Sequence, residues 1–382
     1  MTNTSKWAIG IGIGAAIFFV FVAAVLTGIY FAVAARMGQD SFDQGYAAMN
    51  RREYDKAIAQ FDAALRQPLT SRYKAYSLGD RAYSYQQKGR RYEAIRDYTA
   101  ALKIDPKLSF AYVERGMLRE RKGEEDQAFD DYNQAIRLDP NATAALYRRG
   151  LLLMETRDFD KAIADFSEAI RSYPNHWSAY LERGIAYARK NEVNSALASF
   201  DSTLRIWPRN GRAYLQRGYL YGDIHDLEKA IADFTEAIRF DPKNANAFHA
   251  RARAYAEAGR YAEAIADYKQ RAQGNEIVSG STKGLAWLLA TCPDPAFRDP
   301  KQAMIEATED CKGTAWTNSN CLDTLAAACS AAGKFDEAIR YEQQALDSKD
   351  VNSSKRAEME QRLALYQKHQ PYREPKPHLT GD

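Results

Sequence analysis

The chain has 382 residues, of which 46% are hydrophobic and 27% charged, so it is long enough to bury a large hydrophobic core. Its 53 lysines and arginines exceed its 50 aspartates and glutamates by only three. This near balance excludes the strongly basic surface that is typical of nucleic-acid-binding proteins, and we expect no nucleic-acid partner.

The first predicted element is an uncharged, apolar segment over residues 7–35, which follows a short tail of residues 1–6. At about 1.5 Å per helical residue it can cross a hydrocarbon layer of about 30 Å, and it is longer than the apolar core of a signal peptide. It therefore predicts one transmembrane helix in a lipid bilayer. The alternative is a signal peptide cleaved after Ala34, because Ala32 and Ala34 have the required small-residue spacing. Cleavage would release a secreted, soluble protein.

Positive charges flank this segment on both sides, with Lys6 before it and Arg36, Arg51 and Arg52 after it. The positive-inside rule therefore discriminates poorly between the two orientations. Because the six-residue leader need not cross the membrane, we expect it inside and the rest of the chain outside the cytoplasm. The chain would then be a single-pass membrane protein.

Glycines recur within the segment, where Gly10 and Gly14 stand four residues apart with Gly12 between them. This spacing lets two membrane helices approach closely, which would make the chain a homo-oligomer or a self-assembling structural protein. The simpler interpretation is that these small residues face lipid.

After this segment the sequence repeats with a period of 34 residues, marked by prolines at Pro106, Pro140, Pro174, Pro208 and Pro242. Alanines keep the same period, but Ala57 stands 37 residues before Ala94, so three residues are inserted in the loop near residues 68–71. Each unit has the pattern of two helices joined by a short polar turn, and proline ends the unit because it cannot donate a helical hydrogen bond.

Two positions of the repeat determine how the helices pack against each other. The eighth residue is always small: Gly45, Ala82, Gly116, Gly150, Gly184, Gly218 and Ala252. The twenty-fourth is always aromatic: Phe61, Tyr98, Tyr132, Phe166, Phe200, Phe234 and Tyr268. Small residues allow two helices to cross closely, and the aromatic ring fills the space towards the next hairpin.

This pattern resembles the tetratricopeptide repeat, and seven copies fit over residues 41–275. The resemblance implies an all-α fold, a right-handed α-solenoid of helical hairpins carried by the membrane helix. It also implies a scaffold that binds a protein or peptide rather than an enzyme. The sequence contains no recognisable set of catalytic residues, and we expect no cofactor and no metal.

Arginine occupies the seventh position in six repeats, and aspartate follows sixteen residues later in five of them. A basic ligand-binding ladder is one interpretation, but a buried guanidinium needs a partner, so we favour structural ion pairs. The pairs are Arg81 with Asp97, Arg115 with Asp131, Arg149 with Asp165, Arg217 with Asp233 and Arg251 with Asp267. Arg183 has Ser199 instead, so it would be free or shared with a neighbour.

The carboxyl-terminal part breaks the period near residue 275. Two divergent hairpins are predicted over residues 281–347, a capping helix over 352–368 and a flexible tail over 369–382. This part resembles the divergent repeat pair at the end of some bacterial repeat proteins, which implies a bacterial origin and an inner-membrane location.

All four cysteines lie in this part. In an oxidising compartment the expected topology favours disulfides between Cys292 and Cys329 and between Cys311 and Cys321, and buried reduced thiols are the equal alternative. No C-x-x-C pair or nearby histidine predicts a metal site.

The family resemblance also implies where a partner binds, because the first helix of each tetratricopeptide hairpin lines a concave groove. The lysines and asparagines with which chaperone-binding members hold a terminal carboxylate are missing here. Most of the matching positions are instead apolar or aromatic, and these are Tyr76, Tyr83, Phe110, Val113, Met117, Tyr147, Leu151, Met154, Leu181, Ile185, Leu215 and Tyr219.

Overall fold

The computed structural model describes the backbone of residues 3–272 and 283–376, and the side chains from residue 24 onwards except those of 271 and 272. All regular structure in this part of the chain is helical. The helices are α1 (Asn3–Asn50), α2 (Tyr54–Leu65), α3 (Ser71–Gln87), α4 (Arg91–Ile104), α5 (Ser109–Glu120), α6 (Glu125–Leu138), α7 (Thr143–Glu155), α8 (Phe159–Ser172), α9 (Trp177–Arg189), α10 (Val193–Ile206), α11 (Gly211–Asp223), α12 (Leu227–Phe240), α13 (Ala245–Glu257), α14 (Tyr261–Ala272), α15 (Lys283–Thr291), α16 (Pro300–Gly313), α17 (Ser319–Ala331), α18 (Phe335–Leu346) and α19 (Ser353–Gln367), with a 3-10 turn at Pro295–Phe297.

The turns inside the hairpins have a common backbone signal. The chain passes through a left-handed conformation just after the first helix, at Gly89 with φ 75° and at Gly123 with φ 80°. This conformation ends a helix while satisfying its last carbonyl groups, and glycine adopts it without a steric cost. The next helix therefore starts within two or three residues.

Residues 1–186 form one compact unit. In it α1 pairs with α2, α3 with α4, α5 with α6 and α7 with α8, and each of these hairpins packs on the next. The three inserted residues lie in the loop between α2 and α3, as the spacing predicts.

Residues 187–382 form the second compact unit. Here α11 pairs with α12, α13 with α14, α15 with α16 and α17 with α18, and α19 packs against α18. Helices α15 to α19 occupy the ranges where the divergent hairpins and the capping helix were expected. Residues 273–282, the predicted start of this part, lie outside the described residues.

The glycines at the eighth repeat position lie directly under the aromatic ring of the same hairpin. A Cβ at Gly150 would stand 2.6 Å from the ring of Phe166, and one at Gly116 would stand 2.7 Å from Tyr132. Both rings are completely buried. In these two hairpins the ring packs directly on the backbone of the first helix, because glycine places no side chain between them.

The predicted anchor is the amino-terminal part of α1, which continues without a break into the first helix of the first hairpin. Among the residues that the structure describes, no helix combines the length and the apolar character needed to cross a membrane. The side chains of residues 7–23, and with them Gly10 and Gly14, lie outside the described part.

The start of the predicted flexible tail is ordered, contrary to our expectation. The backbone N–H of Glu374 donates to the carbonyl of Thr291 at 2.9 Å, and Trp287 Nε1 donates to the Glu374 carboxylate at 2.8 Å. Arg373 also donates to the carbonyl of Ala290 at 2.8 Å. These bonds satisfy the carboxyl-terminal end of α15, which explains why the polar tail packs there. Residues 377–382 lie outside the described part.

The four cysteines are buried free thiols. Cys292 belongs to one hydrophobic cluster and Cys311, Cys321 and Cys329 to another, so the structure does not bring Cys292 and Cys329 into one cluster. Burial raises the pKa of the Cys329 thiol to about 12 and also raises that of Cys321. Such thiols are poor nucleophiles at neutral pH.

Candidate functional site

The arginine ladder joins the two helices in five of the hairpins. Arg115 donates from Nη2 to Asp131 Oδ1 at 2.6 Å and from Nε to Oδ2 at 3.0 Å, the two-pronged geometry that suits a guanidinium and a carboxylate. The aspartates of the ladder are only 2 to 6% exposed. Contacts of 2.6 to 2.8 Å also join Arg81 to Asp97, Arg149 to Asp165, Arg217 to Asp233 and Arg251 to Asp267.

The third nitrogen of each guanidinium makes a contact that we did not predict. Arg149 Nη1 donates to Asn133 Oδ1 at 2.7 Å, so the arginine also holds the preceding hairpin. The residue it reaches directly follows the aromatic of that hairpin. In every repeat from the first to the sixth this residue carries a side-chain oxygen: Asp62, Thr99, Asn133, Ser167, Asp201 and Thr235.

This second contact explains the exception in the fifth repeat. Arg183, which has no aspartate sixteen residues on, donates from Nη1 to Ser167 Oγ of the preceding hairpin at 3.1 Å. It is thus shared with a neighbour, one of the two outcomes that the sequence left open. The sequence signal for these contacts was the oxygen-bearing residue at the twenty-fifth position, which varies in type and is therefore easily overlooked.

The charges of the ladder are matched rather than available to a ligand. Burial lowers the pKa of Arg251, but the hydrogen bond and the charge of Asp267 raise it by more, so the net shift is upward. The hydrogen bonds to Asp233 likewise raise the pKa of Arg217, while burial raises that of Asp233 against the influence of Arg217. These arginines stay protonated at any physiological pH, and their donors are used inside the protein.

The residues predicted to line the groove differ in exposure. Phe110 and Tyr219 are exposed, at 37% and 38%. Leu181 and Leu215 are buried, at 1% and 8%, so they pack inside the protein and cannot present a surface to a partner, contrary to the prediction. The others are half-buried: Tyr76, Tyr83, Val113, Met117, Tyr147, Leu151, Met154 and Ile185.

The burial of the fifth repeat position has a visible cause in the second hairpin, where this position is Gly79. A Cβ on Gly79 would stand 2.8 Å from the ring of Phe110, which comes from the next hairpin. The Phe110 ring also stacks on Tyr76, with 6.2 Å between the ring centroids. In this hairpin the fifth position is thus covered by the neighbouring first helix.

Comparison with known proteins agrees with this repeat geometry. Family models described as Tetratricopeptide repeat match residues 75–108, 111–142, 147–211, 211–244 and 234–266. The chain belongs to the tetratricopeptide-repeat family. No curated protein matches it.

Solved structures show the same tetratricopeptide fold. The C-terminal part of a TPR repeat-containing protein from Cytophaga hutchinsonii is 19% identical, with 64% of this chain and 99% of that chain covered and a TM-score of 0.50. A tetratricopeptide repeat protein from Parabacteroides merdae is 21% identical over 65% of this chain and 98% of its own, with a TM-score of 0.45. YrrB, a TPR protein with an unusual peptide-binding site, is 20% identical over 47% of this chain and 92% of its own, with a TM-score of 0.42. At these identities the likeness concerns the fold alone.

Proposed function

We propose that this tetratricopeptide-repeat protein is a membrane-held scaffold that binds a partner protein or peptide on the first helices of its hairpins. The observation that carries the proposal is a row of apolar and aromatic side chains in residues 1–186, none of them buried: Tyr76, Tyr83, Phe110, Val113, Met117, Tyr147, Leu151 and Met154. Aromatic anchors with adaptable methionines are typical of surfaces that bind by burying apolar area. We call these eight residues the groove row.

Charged residues in the groove row should abolish partner binding. The double variant Met117→Glu and Met154→Glu places two carboxylates among apolar neighbours, and burying them against a partner would be costly. We expect at least a tenfold loss of recovered partner, or about 1.4 kcal/mol. The measurement is capture of partners from solubilised membranes, followed by photo-crosslinking from position 151 to identify the proteins in direct contact.

A matched control is available on the second helices. Tyr92 on α4 is 77% exposed and Leu138 at the end of α6 is 37% exposed, so Tyr92→Glu with Leu138→Glu adds the same charge away from the groove row. This control should retain the captured proteins. If both double variants capture and crosslink the same proteins as the wild type, the groove row is not the binding surface.

The membrane part of the proposal has support from the sequence and from the described end of the segment. Residues 7–35 carry no charge. Within the described side chains of α1, large apolar residues are exposed at 44 to 68%: Val25, Leu26, Ile29, Tyr30, Phe31, Val33 and Met37. Soluble proteins rarely expose so many neighbouring apolar side chains, whereas a membrane helix exposes them to lipid.

Two charges in the middle of the segment should release the chain from membranes. An arginine at the centre of a membrane helix costs about 2.5 to 3.5 kcal/mol, so Val20→Arg with Phe21→Arg should shift the protein out of the alkali-washed membrane fraction. Val20→Leu with Phe21→Leu is the control and should stay in that fraction. Wild-type protein that is soluble, with an intact mass beginning at Ala35, would instead identify a cleaved signal peptide.

A further inference from the structure

A cavity of about 390 Å³ opens beside the groove row, where the first three hairpins meet. Its volume lies in the range of ligand sites. The first hairpin contributes Met49, Asn50, Arg52 and Tyr54, α3 contributes Asp80 and Tyr83, and α5 contributes Phe110 and Glu114.

Neither carboxylate in this cavity forms an ion pair within the described part of the chain, although the charge of Arg121 acts on Glu114. Burial alone raises the pKa of Asp80 to about 7. Burial also raises the pKa of Glu114, although Gln86 Nε2 donates to Glu114 Oε2 at 2.7 Å. Arg52 lines the cavity, but it is exposed and forms no ion pair within the described part of the chain.

Buried polar atoms next to the carboxylates are also without a partner. Within the described part of the chain, the hydroxyl of the completely buried Tyr98 has no hydrogen bond, and neither does Gln86 Oε1. Burial raises the pKa of Tyr98, and the charges of Glu114 and Asp80 raise it further. Unsatisfied buried groups of this kind are rare: Gln86 Oε1 can accept a hydrogen bond, and the Tyr98 hydroxyl can donate or accept one.

The next hairpin shows what completes this arrangement. Tyr132, Glu120 and Arg148 stand 34 residues after Tyr98, Gln86 and Glu114. Tyr132 donates its hydroxyl hydrogen to Glu120 at 2.7 Å, and Arg148 Nη1 donates to Glu120 Oε1 at 3.1 Å. The guanidinium of Arg148 therefore neutralises Glu120. At the matching position one repeat earlier, the chain has the carboxylate of Glu114 instead of a guanidinium.

We infer that this cavity is the subsite for one lysine or arginine side chain of the partner, with Asp80 and Glu114 as the anions and Tyr83 and Phe110 as the walls. The cation would take the place that Arg148 takes one repeat later. Aromatic faces favour a cation as well as apolar groups. Phe110 is already held over Gly79 and against Tyr76, so the wall is formed before the partner arrives.

This inference rests on the proposed function, and a random dodecapeptide display library, selected on the full chain in detergent, tests both. We expect the selected peptides to carry lysine or arginine at one constant position within an apolar pattern. Replacing that residue by norleucine should weaken binding at least tenfold. The same replacement should change binding less than twofold for the Asp80→Asn, Glu114→Gln variant.

The control Glu125→Gln, Asp126→Asn removes two exposed acids from the start of α6 and should behave as the wild type. The test variant should melt no lower than the wild type, because it removes two partly buried carboxylates that form no ion pair within the described residues. If the selected peptides have no constant basic residue but fail to bind the Met117→Glu, Met154→Glu variant, the subsite proposal is wrong and the groove proposal stands. A library that yields no peptide sensitive to that groove variant would overturn both.

Discussion

Asp131→Ala should destabilise the first unit by about 3 to 5 kcal/mol, because the change leaves buried guanidinium groups without a counter-charge. Asp131 accepts from both Nε and Nη2 of Arg115, and from Arg119 Nη1 at 2.8 Å. The side chains of Arg115 and Arg119 are only 12% and 18% exposed, so water cannot replace the lost carboxylate well. Urea unfolding followed by circular dichroism measures the loss.

The neighbouring residue supplies the control for this prediction. Asp130 is exposed on the same turn of α6, so Asp130→Ala removes an equal charge without uncovering a buried partner and should leave the unfolding midpoint close to that of the wild type. Because stability in repeat arrays spreads mainly between neighbours, hydrogen exchange should increase most in α5, α6 and α7. Equal midpoints for the two variants would mean that the ladder does not stabilise the fold.

Arg362→Ala should have a similar effect on the carboxyl-terminal hairpins, again about 3 to 5 kcal/mol. Arg362 lies in α19 and its Nε stands 2.8 Å from Asp323 Oδ1 and 3.6 Å from Glu342 Oε1. Glu342 is completely buried, and its carboxyl group lies beside that of Asp323. Removing the arginine therefore leaves two buried acids facing each other. Arg340→Ala, a change at an exposed arginine on α18, is the control and should be close to wild type in urea unfolding.

The same cluster makes stability depend on pH. Burial, and then the negative charge of Asp323, raise the pKa of Glu342 in the folded protein above its ordinary value of 4.5. The folded state therefore holds a proton that the unfolded state has lost, so the free energy of unfolding should decrease as the pH rises above 4.5. Glu342→Gln cannot lose this proton, and its stability should fall less between pH 5 and pH 8.5. An equal fall in both proteins would show that Glu342 is ionised in the folded state.

The arginine ladder shows which contacts can be derived from sequence. An arginine and an aspartate sixteen residues apart recur at a fixed place in the repeat, and one hairpin brings such residues face to face. The bond from Arg149 to Asn133 was missed because its acceptor belongs to the preceding hairpin. Its side-chain type also changes from repeat to repeat, so only the common oxygen marks it.

The groove row shows the opposite case, since family positions alone did not separate surface from core. Leu181 matched the pattern as well as Met117 did, yet the first is buried and the second half-exposed. At Gly79, for example, a Cβ would stand only 2.8 Å from the ring of Phe110, which comes from the next hairpin. That distance is a property of packing between hairpins rather than of one repeat.

The sequence alone determined the helical hairpins, their turns and the Arg–Asp pairs of this protein, because each of these forms within one period of 34 residues. Contacts between residues far apart in the sequence were decided only by the tertiary structure. The tail bond from Trp287 to Glu374 spans 87 residues, and the unmatched carboxylates Asp80 and Glu114 become a pocket only where three hairpins meet. Such features depend on the three-dimensional approach of separate helices, which no short-range pattern encodes.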